Sequence, residues 1–390
     1  MENEAQQVEA GARKPCVACG ELIPANASVC SHCMQRQTPE KPAPFKLIMT
    51  WVGGASALIG LGASLLGGVR WVENHQQQKK ELASQMAVAE VQAKQEQYGP
   101  SVRSYDQILK DNPLYRPALD EQLHTAMLWV ENFHVVASGN QNAADLAASD
   151  LDEAMAILNS GMARTKGSDA ADVQAHLGWA HWLNQHIAER EFGPLAEQNL
   201  RAALQTDPAN VYANAMLGNW MLQNHANFTE AIGHLEAAAS TGKARPLVRT
   251  MQLGGLIYNE THGARAELVK AANEMRKDAE PLEEDQKRRI LAFCFNPTVT
   301  NRAELAESVS AAPEDELWKT YLWLDDTQDE GSAENARLLN REFVYANLLE
   351  VSGKRAESLE KYRALQLELK NHPGTLKESV EDAIARLSRS

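Results

Sequence analysis

The chain is short of what several functional classes require. It carries 38 Lys and Arg against 52 Asp and Glu, a formal net charge of −14. It therefore lacks the clustered basic charge with which proteins meet phosphates, and a nucleic-acid partner is disfavoured. Aromatic residues make up 6% and β-branched ones are sparse, while Ala, Leu, Glu and Gln are abundant. That composition argues against a sheet-dominated fold and for helix. Met1 to Lys14 holds no apolar stretch, so a cleavable signal peptide is not expected. The five cysteines do not spread as a disulfide framework would. Four crowd between Cys16 and Cys33, and Cys294 stands about 260 residues further on.

Catalytic motifs are lacking too. Thr241-Gly242-Lys243 has neither the upstream glycine nor the following hydroxyl of a phosphate loop, and no H-E-x-x-H or G-x-S-x-G occurs. His176, His181 and His186 recur every five residues, which turns successive side chains about 140° apart on a helix, so they share no face. Glu280, Glu283, Glu284 and Asp285 read as a solvated helix start beside Pro281, where carboxylates suit the positive end of the helix dipole. Cys294, between Phe293 and Phe295, reads as an apolar filler. The chain is not expected to be an enzyme.

Against these absences stands one strong motif. Cys16-Val-Ala-Cys19-Gly20 and Cys30-Ser-His-Cys33 form a C-x2-C-x10-C-x2-C pattern. Two residues between cysteines let one tight turn aim both sulfurs at one ion, and four thiolates make the closed tetrahedral shell of a structural zinc site. Gly20 suits the left-handed backbone on which such a turn ends. The stretch between the pairs is long enough for a short hairpin, and His32, inside the second pair, is left outside the filled shell. Residues 15–35 resemble the short bacterial zinc-ribbon family, with its C-x-x-C-G, an Ile-Pro-like middle and C-x-x-C. Met34 stands where many members have glycine, so the second turn is expected to be less regular. The resemblance implies Zn2+ held by Cys16, Cys19, Cys30 and Cys33.

Residues 1–14 read as a flexible terminus and 36–46 as a Pro-rich linker containing Thr38-Pro-Glu-Lys-Pro-Ala-Pro44. Residues 47–69 carry no charge, and 23 residues at about 1.5 Å each span about 35 Å, enough for one transmembrane helix. Trp51 and Trp71 sit near its ends. Gly53, Ala57, Gly60, Ser64 and Gly67 line one helix face, which would suit a homodimer or docking on another membrane protein. Flanking charges tie. Reduced thiolates favour a cytoplasmic N-terminus. The expected location is therefore a single-pass inner membrane protein with the remainder extracytoplasmic. Residues 70–98 read as a helical stalk with a thin apolar stripe at Leu82, Met86 and Ala89/Val91.

From residue 99 to 390, helices of about 12 to 20 residues alternate with short breakers. Leu177-Gly178, Leu217-Gly218 and Leu253-Gly254 recur at spacings of 40 and 36. Leu200, Ala203-Leu204 and Asp207-Pro208 follow the first; Ala231, Leu235 and Ala238 follow the second. Tyr345-Ala346, Leu349, Gly353, Ser358, Tyr362 and Leu365 repeat the pattern near the C-terminus, and Tyr105 to Pro113 is a degenerate half-copy. This region resembles the tetratricopeptide repeat. The expected fold is mainly α: an α-solenoid of such helix pairs, plus a zinc ribbon and one transmembrane helix.

The resemblance implies a partner groove lined by Trp179, Trp182, Tyr212, Asn219, Gln223, Tyr258, Asn259, Phe343 and Asn347. The basic residues of a carboxylate clamp are missing from the matching positions. The expected function is a membrane-anchored, non-enzymatic scaffold whose partners are other envelope or membrane proteins. The alternative is a metal- or redox-responsive regulatory transducer.

Overall fold

The computed structural model describes residues 13–16, 18–24, 27–35, 75–133, 141–188, 194–257, 259–295, 302–326, 334–371 and 374–389. Helix dominates, as the composition requires. The chain divides into two compact units: Met1–Arg164 with Asn184–Arg190, and Thr165–Leu183 with Glu191–Ser390.

One expectation is corrected at once. Among the described residues no helix is long and apolar enough to cross a membrane. The two longest of the helices named below show why: Gln141–Met162 carries Asp145, Asp150, Asp152 and Glu153, and Ser168–Ala188 carries Asp169 and Asp172. The single-pass location, and the membrane helix in the fold class, are therefore not supported. The segment 47–69 itself, its small-residue face and the linker 36–46 lie outside the described residues.

In the first unit, strands β1 (Arg13–Pro15) and β2 (Leu22–Pro24) pair antiparallel, with Lys14 opposite Ile23. The hairpin thus straddles the first cysteine pair instead of lying between the pairs. Helix α1 covers residues 75–94, α2 Tyr98–Asp111, α3 Arg116–Glu131 and α4 Gln141–Met162. Over 75–94 the expected stalk is the first member of a helix pair. Met86 and Ala89 are buried with Tyr105, Ile108 and Ala118, and the Ser101 hydroxyl donates to the Ala89 carbonyl at 2.8 Å. Val91 points away, half exposed.

The second unit holds most of α5 (Ser168–Ala188), then α6 (Leu195–Thr206), α7 (Val211–Gln223), α8 (Phe228–Ser240), α9 (Arg245–Leu256) and α10 (Ala264–Lys277). It continues with α11 (Glu284–Cys294), α12 (Arg302–Val309), α13 (Glu314–Leu324), α14 (Glu334–Val351), α15 (Arg355–Glu368) and α16 (Thr375–Ser388). Asn210 and Asn227 start α7 and α8, their side chains accepting from Ala213 and Glu230 amides, as N-caps do. Glu283 and Gln286 form a capping box at α11. Glu280 is not part of that solvated start; it accepts from Arg245 and Arg249.

The Leu-Gly recurrence marks real close approaches at two of its three places. A Cβ on Gly178 would lie 2.9 Å from the Ala196 carbonyl oxygen, and one on Gly218 would lie 2.7 Å from Leu235 Cγ and 2.9 Å from the Ala231 carbonyl oxygen. Each glycine admits the following helix. Gly254 does not: the close contact there belongs to Gly255, 2.7 Å from Leu222 of α7. Helix α9 uses its glycine against α7, two helices back in the chain.

A longer repeat is visible only in three dimensions. Leu82, Met86, Ala89, Ser101, Tyr105 and Ile108 correspond to Leu339, Phe343, Ala346, Ser358, Tyr362 and Leu365, every pair 257 positions apart. Both sets form cores of the same pattern, and the Ser358 hydroxyl donates to the Ala346 carbonyl at 2.8 Å, as Ser101 does to Ala89. The match runs into the third helix, where Leu123, Ala126 and Val130 of α3 stand at the places of Val380, Ala383 and Leu387 of α16. The turns match as well. Gln97 N–H reaches the Gln92 carbonyl and Lys354 N–H the Leu349 carbonyl, both at 2.9 Å, closing a left-handed helix end at Glu96 (φ 61°) and Gly353 (φ 83°).

Gly218→Ala drives a methyl into a backbone oxygen that has no rotamer to yield, and should lower unfolding stability by about 1–3 kcal/mol in denaturant titration. Glu96 holds the conformation its counterpart leaves to glycine. Glu96→Gly should therefore raise stability by about 0.5–1 kcal/mol, and Gly353→Ala, with open space around it, should lower it by about 1 kcal/mol through backbone strain alone.

Candidate metal centre

The four clustered cysteines sit on two copies of one turn. In the first, the Cys16 amide donates to the Glu21 carbonyl at 2.7 Å, Gly20 N–H closes on the Cys16 carbonyl at 3.0 Å, and Ala18 N–H points at Cys16 Sγ at 3.4 Å. In the second, Cys30 N–H donates to Gln35 at 2.8 Å, Met34 N–H closes on Cys30 at 2.9 Å, and His32 N–H points at Cys30 Sγ at 3.4 Å. Gly20 has φ 79° and Met34 φ 60°. The second turn is as regular as the first, and methionine accepts the left-handed conformation because the turn's hydrogen bonds hold it there. His32 is exposed and takes part through its backbone. Ile23, which nothing in the cysteine pattern singles out, packs buried against Cys16 and Cys30 and is the one large apolar residue in that cluster.

Cys16 Sγ and Cys33 Sγ lie 3.5 Å apart, Cys19 Sγ and Cys30 Sγ 3.8 Å, and all four sulfurs fall within 4.8 Å of one another. A tetrahedral ion with bonds of about 2.3 Å spaces its sulfurs by roughly 3.8 Å. The donor set and its spacing fit one soft divalent cation. Electrostatics agree. Burial opposes ionisation of Cys16, yet the amides of the first turn outweigh it and lower that thiol to about 6. Burial, with the neighbouring thiols, pushes Cys33 up to about 12. A lone thiolate is tolerated; further negative charge on the cluster calls for a cation.

The nine groove candidates fare differently. Trp179, Asn219, Asn259 and Phe343 are buried; Trp182, Tyr212 and Asn347 are half buried; Gln223 is exposed; Tyr258 lies outside the described residues. Trp179 and Trp182 stack at 4.4 Å between ring centroids, and Tyr212 lies 4.7 Å from the buried His176 ring. The amides serve the fold. Asn219 and Gln223 donate to the Met251 and Gly254 carbonyls at 2.7 and 2.6 Å, and Asn259 donates back to Leu222 at 3.3 Å. These bonds fasten α7 to α9. Asn347 donates to Phe343 of its own helix at 2.8 Å. Trp220, half buried on α7, was not picked out by the repeat pattern.

Comparison with protein-family models, curated proteins and solved structures found no match to this chain.

Metal binding by this cluster must displace the proton that burial and the neighbouring thiols hold on Cys33, and the one that, against the Glu21 amide, desolvation and the Cys16 and Cys30 thiols hold on Cys19. Affinity should therefore be strongest at high pH and fall as pH drops. With at least two protons released, the apparent association constant should drop at least about 100-fold per unit between pH 8 and pH 6. A competition titration against a chelator of known affinity measures this.

Proposed function

We propose that the chain is a non-enzymatic protein-interaction scaffold. Its N-terminal ribbon is held by one structural zinc ion on Cys16, Cys19, Cys30 and Cys33, and its helical body receives another protein. Zinc is favoured over harder cations because all four donors are thiolates and none is an oxygen. The reading of the body rests chiefly on nearest-neighbour stacking in the second unit, where α7 packs on α8 and α9, α14 on α15, and α15 on α16. Repeat proteins built this way leave one side of successive helices free for a partner. The half-buried Trp182 and Tyr212 are the candidates proposed for that side, since they offer rigid aromatic area of the kind that dominates protein interfaces. A second reading, a metal- or redox-responsive regulator, is favoured by one observation: Cys19 is exposed, unlike the buried Cys16 and Cys30.

Trp182 decides the interaction surface. A photo-crosslinker placed at Trp182 should capture a defined protein saturably, whereas one at the exposed Glu236 should not. Trp182→Ala should weaken that capture at least tenfold with little change in melting temperature. A loss of about 3–5 kcal/mol in stability instead would make Trp182 a core residue and remove it from the proposal.

A further inference from the structure

The four cysteines are not equally reachable. Cys16 and Cys30 are 4% and 0% exposed, Cys33 is half buried and Cys19 is exposed. The two buried sulfurs are those toward which the turn amides of Ala18 and His32 point, and Ile23 seals their side. Cys19 keeps an amide of its own, from Glu21, but stands outside the apolar cluster around Ile23 and is the exposed member of the four. Its sulfur nevertheless lies 3.8 Å from the buried Cys30 sulfur of the other turn. An exposed sulfur that the bound ion keeps as its thiolate, with a second sulfur at that distance, has both elements of a reversible oxidation site, an attacking sulfur and a resolving one.

We infer that Cys19 is a modification site for small hydroperoxides, resolved by Cys30. This rests on the metal-site reading above and extends it. The Cys19 thiolate attacks the terminal hydroxyl oxygen of the peroxide; the O–O bond breaks, hydroxide (or alkoxide, from an organic hydroperoxide) leaves, and Cys19 becomes a sulfenic acid, its sulfur oxidised by two electrons while the peroxide is reduced. The Cys30 thiolate then attacks the Cys19 sulfur, forming an S–S bond and expelling hydroxide. The resulting disulfide ties the first turn to the second and withdraws two of the four donors. Two remaining thiols, Cys16 and Cys33, cannot fill a tetrahedral shell, so the oxidised ribbon gives up its ion. Thiol reductants reverse the step by exchange.

The test uses the full-length chain, purified under reducing conditions, with its zinc content measured before any oxidant is added. N-ethylmaleimide labelling followed by peptide mass spectrometry should find Cys19 modified about tenfold faster than Cys16 or Cys30, with buried Cys294 as an internal control. Substoichiometric hydrogen peroxide should then yield a Cys19–Cys30 linked peptide pair, with about one zinc released to a chromophoric chelator per disulfide. Equal labelling of all four cysteines, a disulfide confined to Cys16 and Cys19, or zinc retained after the disulfide forms overturns the inference. A chain that contains no zinc at the outset overturns the metal reading instead, and the labelling order and disulfide map still decide the oxidation site.

Discussion

Everything in the helical part depends on letting two helices touch. A helix pair buries its apolar faces only where one member surrenders a side chain, and the chain does this in two ways. At Gly178 and Gly218 it removes the Cβ altogether, so the backbone of the next helix comes within van der Waals reach. At Ala89 and Ala346 it keeps a methyl and places a serine opposite, whose hydroxyl satisfies the alanine carbonyl at 2.8 Å. The first solution gains dispersion contacts with nothing polar to satisfy. The second fixes its register with a hydrogen bond. Both bury a Leu or Tyr four residues after the contact point, Leu200 and Leu235 in the first way and Tyr105 and Tyr362 in the second.

The N-terminal ribbon solves the opposite problem. With Ile23 the one large apolar residue packed in its cluster among the described residues, a unit this small has too little buried surface to offset the entropy of ordering its backbone. Its two turns instead converge four sulfurs on a point, so that the bonding of one cation can replace the missing core. The cost falls on Met34, held at a positive φ that glycine would occupy freely.

Much of this was legible from residues alone, and the failures have physical causes. The paired C-x-x-C spacing located the sulfur cluster because metal geometry constrains sequence directly. The Leu-Gly recurrence located Gly178 and Gly218 because close crossings forbid any other residue. It misled at Gly254, since a glycine pattern cannot say which neighbour the bare face will meet. The correspondence between α1–α3 and α14–α16 escaped because its matching positions are Ala, Ser and Tyr, residues common in any helix, at an offset of 257 that no short-period search inspects. Asn219 and Gln223 resembled groove residues, whereas carbonyls of α9 claimed them. Amides at helix crossings serve the backbone as readily as a ligand, and only the neighbouring element distinguishes the two uses. The uncharged run at 47–69 suggested a membrane span, and among the described residues no helix bears such a reading out.

The shared Ala-to-Ser crossing carries a burden for folding. Helices α1 and α14 present the same alanine carbonyl flanked by large apolar residues, Leu82 and Met86 in one and Leu339 and Phe343 in the other, so either could be received by α2 or by α15, in its own chain or in another copy. Mispairing of this kind is the usual hazard of duplicated elements. What opposes it is the length of the connections. Three residues join α1 to α2, and three join α14 to α15. So short a tether holds the native partner at an effective concentration of roughly millimolar or above, far beyond that of any distant competitor. The tight left-handed turns at Glu96 and Gly353 thus act as sorting devices: by pairing each helix before it can search, they let one crossing chemistry be used twice without confusion.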